Sequence, residues 1–290
     1  MTSTLSSFEP FGIFRGVPYE KYVQQKAVNF SSLKEMARSP MHYRHRLEKP
    51  KESDALTLGI SAHTSILEPA KFMTQYVLWD ERTDGGAVRP RRGKDWDAFV
   101  AANKGKSIIR IDEFNLALAM RDAVRSNVTA MRYLRKGDAE ATFVWLDDET
   151  QYLCKGRADW LTEVDGLDVI VGVKTAKDCR PIGFGNAAAR FGYHLQWAMY
   201  YDAWAKLTGR NAKMVEVVVE SAPPHDVAVY VIPSEIIEQG RDEYRKLMLR
   251  LRECESKNEW PGATDGEQLL SLPSWVYHAE DDISDLGLEE

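Results

Sequence analysis

Two β-rich runs, YLCKGRADWLTEV and LDVIVGVKT, are separated by Asp165-Gly166, the kind of dipeptide that a type I′ hairpin turn demands. A two-residue loop fixes the register, so Asp159 is predicted opposite Gly172 and Arg157 opposite Lys174. Directly opposed residues and their i±2 neighbours share a face, which gathers these four into one polar patch on two otherwise apolar strands. Such a patch has two readings. One is a solvated edge pair, Asp159 with Arg157, beside an exposed strand lysine. The other is hydrolytic: a carboxylate that can hold a divalent cation, beside an ammonium that can steady a water and the charge building on a phosphate oxygen. The hairpin alone leaves both open.

Further polar residues recur at helical and loop positions. Gln196 and Tyr200 in YHLQWAMYY are four apart and share a helical face, with Tyr193 one turn earlier; Trp197, Tyr201 and Trp204 fall on other faces and read as core. His63, in GISAHTSIL, sits among Ile60, Ile66 and Leu67, and is either a packed helical histidine or a ligand. Glu140, in DAEATFVWL, lies on the strand before the hairpin and reads equally as a carboxylate near the patch or as a solvent-facing residue. Arg89, Arg91, Arg92 and Lys94 belong to ERTDGGAVRPRRGK, the most basic stretch, whose loop position gives it the reach to track phosphates or leaves it a charged loop without a partner.

The order GISAHTSILEP, GRADWL, VIVGVKTAKD, YHLQWAMYY resembles the RecE-like and RecB-like branch of the PD-(D/E)XK nucleases. The match is Gly59 with His63, then Asp159, Lys174, and Gln196 with Tyr200, and it extends over SSLKEMARSPMHYRHRLEKP to cover residues 28 to 205 or so. Each motif is short; four in order carry the resemblance. It implies a restriction-endonuclease-like α/β (α+β) fold with a central mixed β-sheet flanked by helices. It also implies a Mg2+ (or Mn2+) site held by His63, Asp159 and the main-chain carbonyl of Val173. Lys174, Gln196, Tyr200 and Asp159 become catalytic candidates, with Glu140, Arg157 and Tyr193 as supporting ones. The activity implied is exodeoxyribonuclease resection of double-stranded DNA ends, 5′ to 3′, by a homo-oligomeric ring that hands single strands to a RecT-like annealing protein.

The pattern departs from the family at one position. Where the motif places Asp or Glu two residues before its lysine, this chain has Gly172, so a metal ligand is missing there. Asp168 shares the face but lies four residues away, roughly 13 Å at about 3.3 Å per residue, and Asp178 is similarly distant along the chain. Glycine inside a strand has no evident structural benefit. The expectation is a nuclease disabled at this position, with a non-catalytic DNA-binding or scaffold protein on the nuclease fold as the alternative. A helicase-associated or CRISPR-adaptation nuclease of the same superfamily commonly carries cysteines for an iron–sulfur cluster; Cys154, Cys179 and Cys254 are too scattered for that or for zinc.

Around these residues the sequence alternates helical and β-rich segments. Leu33 to Leu47 reads as two short helices broken at Ser39-Pro40 and capped by Ser31 or Ser32, and Ala55 to Leu67 as a helix ended by Glu68-Pro69. Residues 95 to 104 and 112 to 135 are predicted helical, followed by a three-strand meander from Ala139, a helix over Phe191 to Leu207, two strands, and a helix over Pro233 to Cys254. The division expected is an N-terminal helical region (1–135) contributing His63 and a wall of the DNA channel, a nuclease core (136–260), and a C-terminal extension with an acidic tail (261–290). With 290 residues, 44% of them hydrophobic, a sizeable core is available, and the net charge of −6 means that the molecule as a whole does not attract nucleic acid. No apolar run approaches the roughly 18 residues of a membrane span, and a cytoplasmic location is expected.

Overall fold

The computed structural model describes residues 11–48 and 54–272; the acidic tail lies outside them. Eight strands occur among these residues: β1 (Gly12–Phe14), β2 (Tyr76–Trp79), β3 (Ser107–Arg110), β4 (Asp138–Leu146), β5 (Leu153–Val164), β6 (Leu167–Ala176), β7 (Lys213–Glu220) and β8 (Val227–Val231). Six of them form one sheet in the order β1-β4-β5-β6-β7-β8, while β2 and β3 pair separately. In the large sheet β6 and β7 run parallel and all other neighbours are antiparallel, the mixed sheet expected.

The helices up to the meander are α1 (Tyr19–Gln24), α2 (Phe30–Leu33), α3 (Pro40–Glu48), α4 (Asp54–Leu67), α5 (Pro69–Gln75), α6 (Lys94–Ala102), α7 (Ile111–Ser126) and α8 (Val128–Leu134). After it come α9 (Pro181–Phe191), α10 (Tyr193–Thr208) and α11 (Ser234–Lys257). Parallel neighbours cannot be joined by a tight turn, and α9 with α10 makes the crossover from β6 to β7. Because both faces of these strands are covered, β7 reads as an almost continuous valine run rather than as an alternation. Val171, Val173 and Val217 face Ala62 of α4, Met120 of α7 and Leu134 of α8. Ile170, Met214 and Val218 face the other way, toward Trp197 and Trp204 of α10 and Leu251 of α11.

The hairpin forms as its turn predicts: Asp165 and Gly166 both have positive φ, 55° and 76°, and the register runs from Val164↔Leu167 to Trp160↔Val171. The ladder ends there, so Asp159/Gly172 and Arg157/Lys174 are not bridged pairs, contrary to the simple extension of the hairpin. Other differences are local. Asn29, not Ser31 or Ser32, caps α2, accepting from the Ser32 N–H. The helix predicted from Phe191 starts at Tyr193 as α10, and a second helix, α9, precedes it; Gly192 in the left-handed region (φ 71°) divides the two. Strands β1, β2 and β3 are too short to stand out by periodicity.

Candidate functional site

The site lies where β5 and β6 part. Beyond the last ladder pair the Asp159 side chain fills the opening: its Oδ2 accepts the Val173 N–H at 2.8 Å. The same oxygen is 3.0 Å from His63 Nε2 and 3.5 Å from Lys174 Nζ. Helix α4 brings His63 to the sheet, and its other nitrogen, Nδ1, is 3.2 Å from Glu140 Oε1. Glu140 is held at φ 56° inside β4, a backbone state that costs free energy for a residue with a Cβ and tends to persist at functional positions. It also pairs with Arg157, whose guanidinium donates to the Val17 carbonyl at 2.9 Å. Arg157 is thus drawn toward Glu140 and the N-terminal segment rather than toward Lys174.

These contacts set the charges. Burial works against an imidazolium at His63, but the Asp159 carboxylate, and Glu140 behind it, outweigh burial and lift the histidine to about 10. Burial would raise Asp159; the charges of Lys174 and His63 and the Val173 N–H instead hold it well below the usual carboxylate range. Glu140 is lowered, against burial, chiefly by His63 and then by Arg157. Lys174 is raised despite burial, with Glu216 and then Asp159 responsible.

Helix α10 covers the seam. The Tyr193 ring centroid lies 5.4 Å from Lys174 Nζ. Tyr200 accepts the Arg157 N–H at 3.2 Å and a hydrogen bond from Gln196 Nε2 at 3.3 Å, so it fastens the helix to the main chain of β5. That approach needs Gly156, where a Cβ would lie 2.6 Å from the Tyr200 ring. Asp159, Gly172, Lys174 and Gln196 line a cavity of about 10 Å³, on the order of one water.

A family model described as a PDDEXK-like domain of unknown function (DUF3799) matches residues 29–271. The chain belongs to this family. A crystal structure of a "putative exonuclease" from Eubacterium rectale is 14% identical, with a TM-score of 0.59 over 94% of this chain and 100% of that one, a likeness that shows the fold. The crystal structure of VC1899 from Vibrio cholerae, 12% identical over 81% of this chain and 59% of that one, reaches a TM-score of only 0.24. No curated protein matches.

In this PDDEXK-like domain the position two before the lysine is not vacant space. Gly172 is paired in register with Glu216 on β7, and a Cβ at 172 would lie 2.4 Å from both Glu216 carboxylate oxygens. The expectation of a site with no acidic group here is therefore corrected. A carboxylate is present, contributed by the neighbouring strand, and the glycine leaves it room, since a side chain at 172 would require the Glu216 carboxylate to move. Glu216 was missed because KMVEVVVE reads as a core strand; the one glutamate among valines was the available signal. Its side chain is 1% exposed, Oε1 stands 3.1 Å from Lys174 Nζ, and Oε2 accepts the Trp197 indole N–H at 2.6 Å. Burial raises its carboxyl, with Lys174 working in the opposite direction.

Three carboxylates, an imidazole and a strand carbonyl form a donor set of the kind that suits an oxygen-preferring divalent ion. In an extended residue the N–H and C=O point to the same side, so the Val173 carbonyl faces the Asp159 side as its N–H does. Among the described residues no three His, Cys, Asp or Glu side chains close on one point: the Lys174 ammonium stands between Asp159 and Glu216, in the position of a cation. Glu216 Oε1, buried, has this charge contact but no aligned hydrogen bond. The residues fit a divalent metal on these grounds.

The remaining predicted residues are more dispersed. Asp168 pairs with Arg210 and Asp178 with Arg180, so neither replaces the missing motif residue. In the basic loop Arg89 is paired with Asp95 and Arg91 with Glu113, which neutralises half of the quartet with Arg92 and Lys94. Among the described residues no helix is long and apolar enough to cross a membrane.

Proposed function

We propose that this PDDEXK-like domain is a divalent-metal-dependent exodeoxyribonuclease that resects double-stranded DNA from its ends. The observation that carries the reading is the unbroken run of contacts from His63 through Asp159 to Lys174, contributed by one helix and two strands, on a fold of this class. His63, Asp159 and the Val173 carbonyl would hold the ion. When bound, a divalent ion polarises a phosphoryl oxygen and lowers the pKa of a coordinated water.

The protein's own residues do the rest. His63, an imidazolium when its two nitrogens serve Glu140 and Asp159, must release a proton before Nε2 can offer a lone pair. Lys174, raised above its ordinary pKa, is a poor proton acceptor and acts as a positive charge for the phosphate oxygens. The Tyr193 ring limits where the ammonium can swing, and Tyr200 with Gln196 holds α10 against the strand that carries Asp159. Action at ends, 5′ to 3′ polarity, a ring-shaped homo-oligomer and delivery of the single strand to a RecT-like annealing protein are supported by the sequence resemblance.

Digestion of end-labelled linear duplex and of closed circular duplex in Mg2+ tests the reading. Loss of the linear DNA with the circle intact, abolished by Lys174→Ala, is expected. Equal attack on the circle makes the chain an endonuclease. Binding without any cleavage favours the scaffold alternative.

A further inference from the structure

We propose that Glu216 supplies the acidic metal ligand that position 172 lacks, a carboxylate relocated from β6 to its register partner on β7. The inference rests on the nuclease reading and deepens it.

Four features point to the relocation. In a parallel pair, residues in register extend side chains to the same face, so Glu216 starts beside the place where a residue at 172 would start. Its carboxylate reaches across into that place, since a Cβ on Gly172 would lie 2.4 Å from each oxygen and 2.6 Å from Cδ. Glutamate is long enough to cross one strand spacing, about 4.8 Å, which aspartate is not. Lys174 Nζ then touches Glu216 Oε1 at 3.1 Å and Asp159 Oδ2 at 3.5 Å, so the two carboxylates from different strands converge on one cation position.

The buried surroundings hold the Glu216 carboxylate in one orientation. Here Trp197 fixes Oε2, and Oε1, shielded from solvent, meets only the Lys174 ammonium at 3.1 Å, a cation that it shares with Asp159. Trp197 thereby orients the carboxylate with one oxygen available to a cation, the support that metal ligands commonly receive from the residues behind them. A glycine at 172 and a glutamate at 216 are then two halves of one arrangement: each makes sense only with the other.

Binding of Mn2+ alone, measured on the full chain without DNA by the paramagnetic resonance signal of the free ion, tests this directly. Glu216→Gln keeps the side-chain volume and an acceptor for Trp197 while removing the charge. It is expected to weaken Mn2+ binding by at least roughly tenfold, since even groups outside the ligand set cost about 10–100-fold. Gly172→Asp with Glu216→Ala returns the carboxylate to β6 and should recover most of the affinity; it also carries the test should Glu216→Gln fail to fold. If Glu216→Gln binds Mn2+ as the parent does while His63→Asn does not, Glu216 is only a structural partner of Lys174 and the proposal falls alone. A double variant with the parent's melting temperature that binds no better than Glu216→Gln also overturns it. If the parent binds no Mn2+, the metal-nuclease reading fails and takes this proposal with it.

Discussion

Two ionic clusters lie against helix α10, and they are built on different principles. On the side facing α11, Asp202 receives Nε and Nη2 of Arg241 at 2.7–3.0 Å and the Tyr244 hydroxyl at 2.5 Å. One carboxylate meets a bidentate guanidinium and a hydroxyl, a closed set of the kind that fixes geometry. At the seam of β5 and β6, three carboxylates (Glu140, Asp159, Glu216) meet Arg157, Lys174 and His63, and the charges balance only if the histidine is protonated. Lys174 is shared between Asp159 and Glu216, and Glu140 carries backbone strain. The first cluster is closed by its own hydrogen bonds; the second is the one that the proposed metal site draws on. On the proposed function, the difference separates an ionic cluster that holds the fold from one arranged for chemistry.

Lys174→Ala breaks the contrast most sharply. Removing one preorganised positive group beside a reacting phosphate should lower kcat by on the order of 10²–10³-fold, measured on end-labelled duplex. Asp202→Asn, on α10, should lower the melting temperature while leaving kcat within about twofold, because truncating a matched pair removes roughly 1–3 kcal/mol of stability without touching the site. Equal losses of activity in the two variants would erase the distinction.

Gly172→Asp comes next. On the sequence pattern alone this change restores the motif. In the structure a Cβ there would lie 2.4 Å from both Glu216 oxygens, so the Glu216 carboxylate must shift, and the change places two carboxylates side by side. Overpacking of this kind costs about 1–3 kcal/mol, and like charges add to it. The single variant should therefore be less stable than the parent and no more active; a gain in cleavage would show that the glutamate is dispensable.

How much could be read in advance follows from the range of the interactions. The hairpin was legible because Asp165-Gly166 and strand alternation are local, and the register held as far as Trp160↔Val171. His63, Asp159, Lys174, Gln196 and Tyr200 were legible through short motifs whose order matches a known family. Glu216 was not, because its meaning depends on which strand lies next to β6, and that is decided by a crossover of two helices. The separation of the hairpin beyond Trp160 was equally hidden: a ladder stops where a side chain, here Asp159, takes over a main-chain N–H. The second helix of the crossover was anticipated and the first was not, since Gly183 and Gly185 weaken the pattern of α9.

A pH measurement extends the comparison to the opposite end of the sheet. Asp147, 3% exposed at the end of β4, accepts from the Thr150 N–H at 2.9 Å and hydroxyl at 2.7 Å, and pairs with Arg245. Burial would raise its carboxyl, but the Thr150 hydrogen bonds and Arg245 hold it below the ordinary value. A carboxylate whose folded pKa is depressed binds fewer protons folded than unfolded, so its stabilisation is complete above the unfolded value, near about 3.9, and is lost as pH falls through the lower folded value. Asp147→Asn should therefore cost about 1–3 kcal/mol at neutral pH and flatten the acid limb of the melting-temperature profile, with kcat unchanged.

The smallest effect expected is that of Tyr200→Phe, and it decides which kind of region α10 belongs to. The hydroxyl accepts the Arg157 N–H and a hydrogen bond from Gln196, and the ring packs where Gly156 admits it. Phenylalanine keeps the ring and leaves the Arg157 N–H without its acceptor, a loss of about 1–2 kcal/mol. If Tyr200 only fastens the helix, denaturant unfolding records that loss while kcat and Mn2+ affinity stay within about twofold. A fall in kcat larger than the stability change accounts for, at unchanged Mn2+ affinity, would place the hydroxyl among the groups that act on the phosphate or the attacking water, and only the Asp202 side of α10 would then be purely structural.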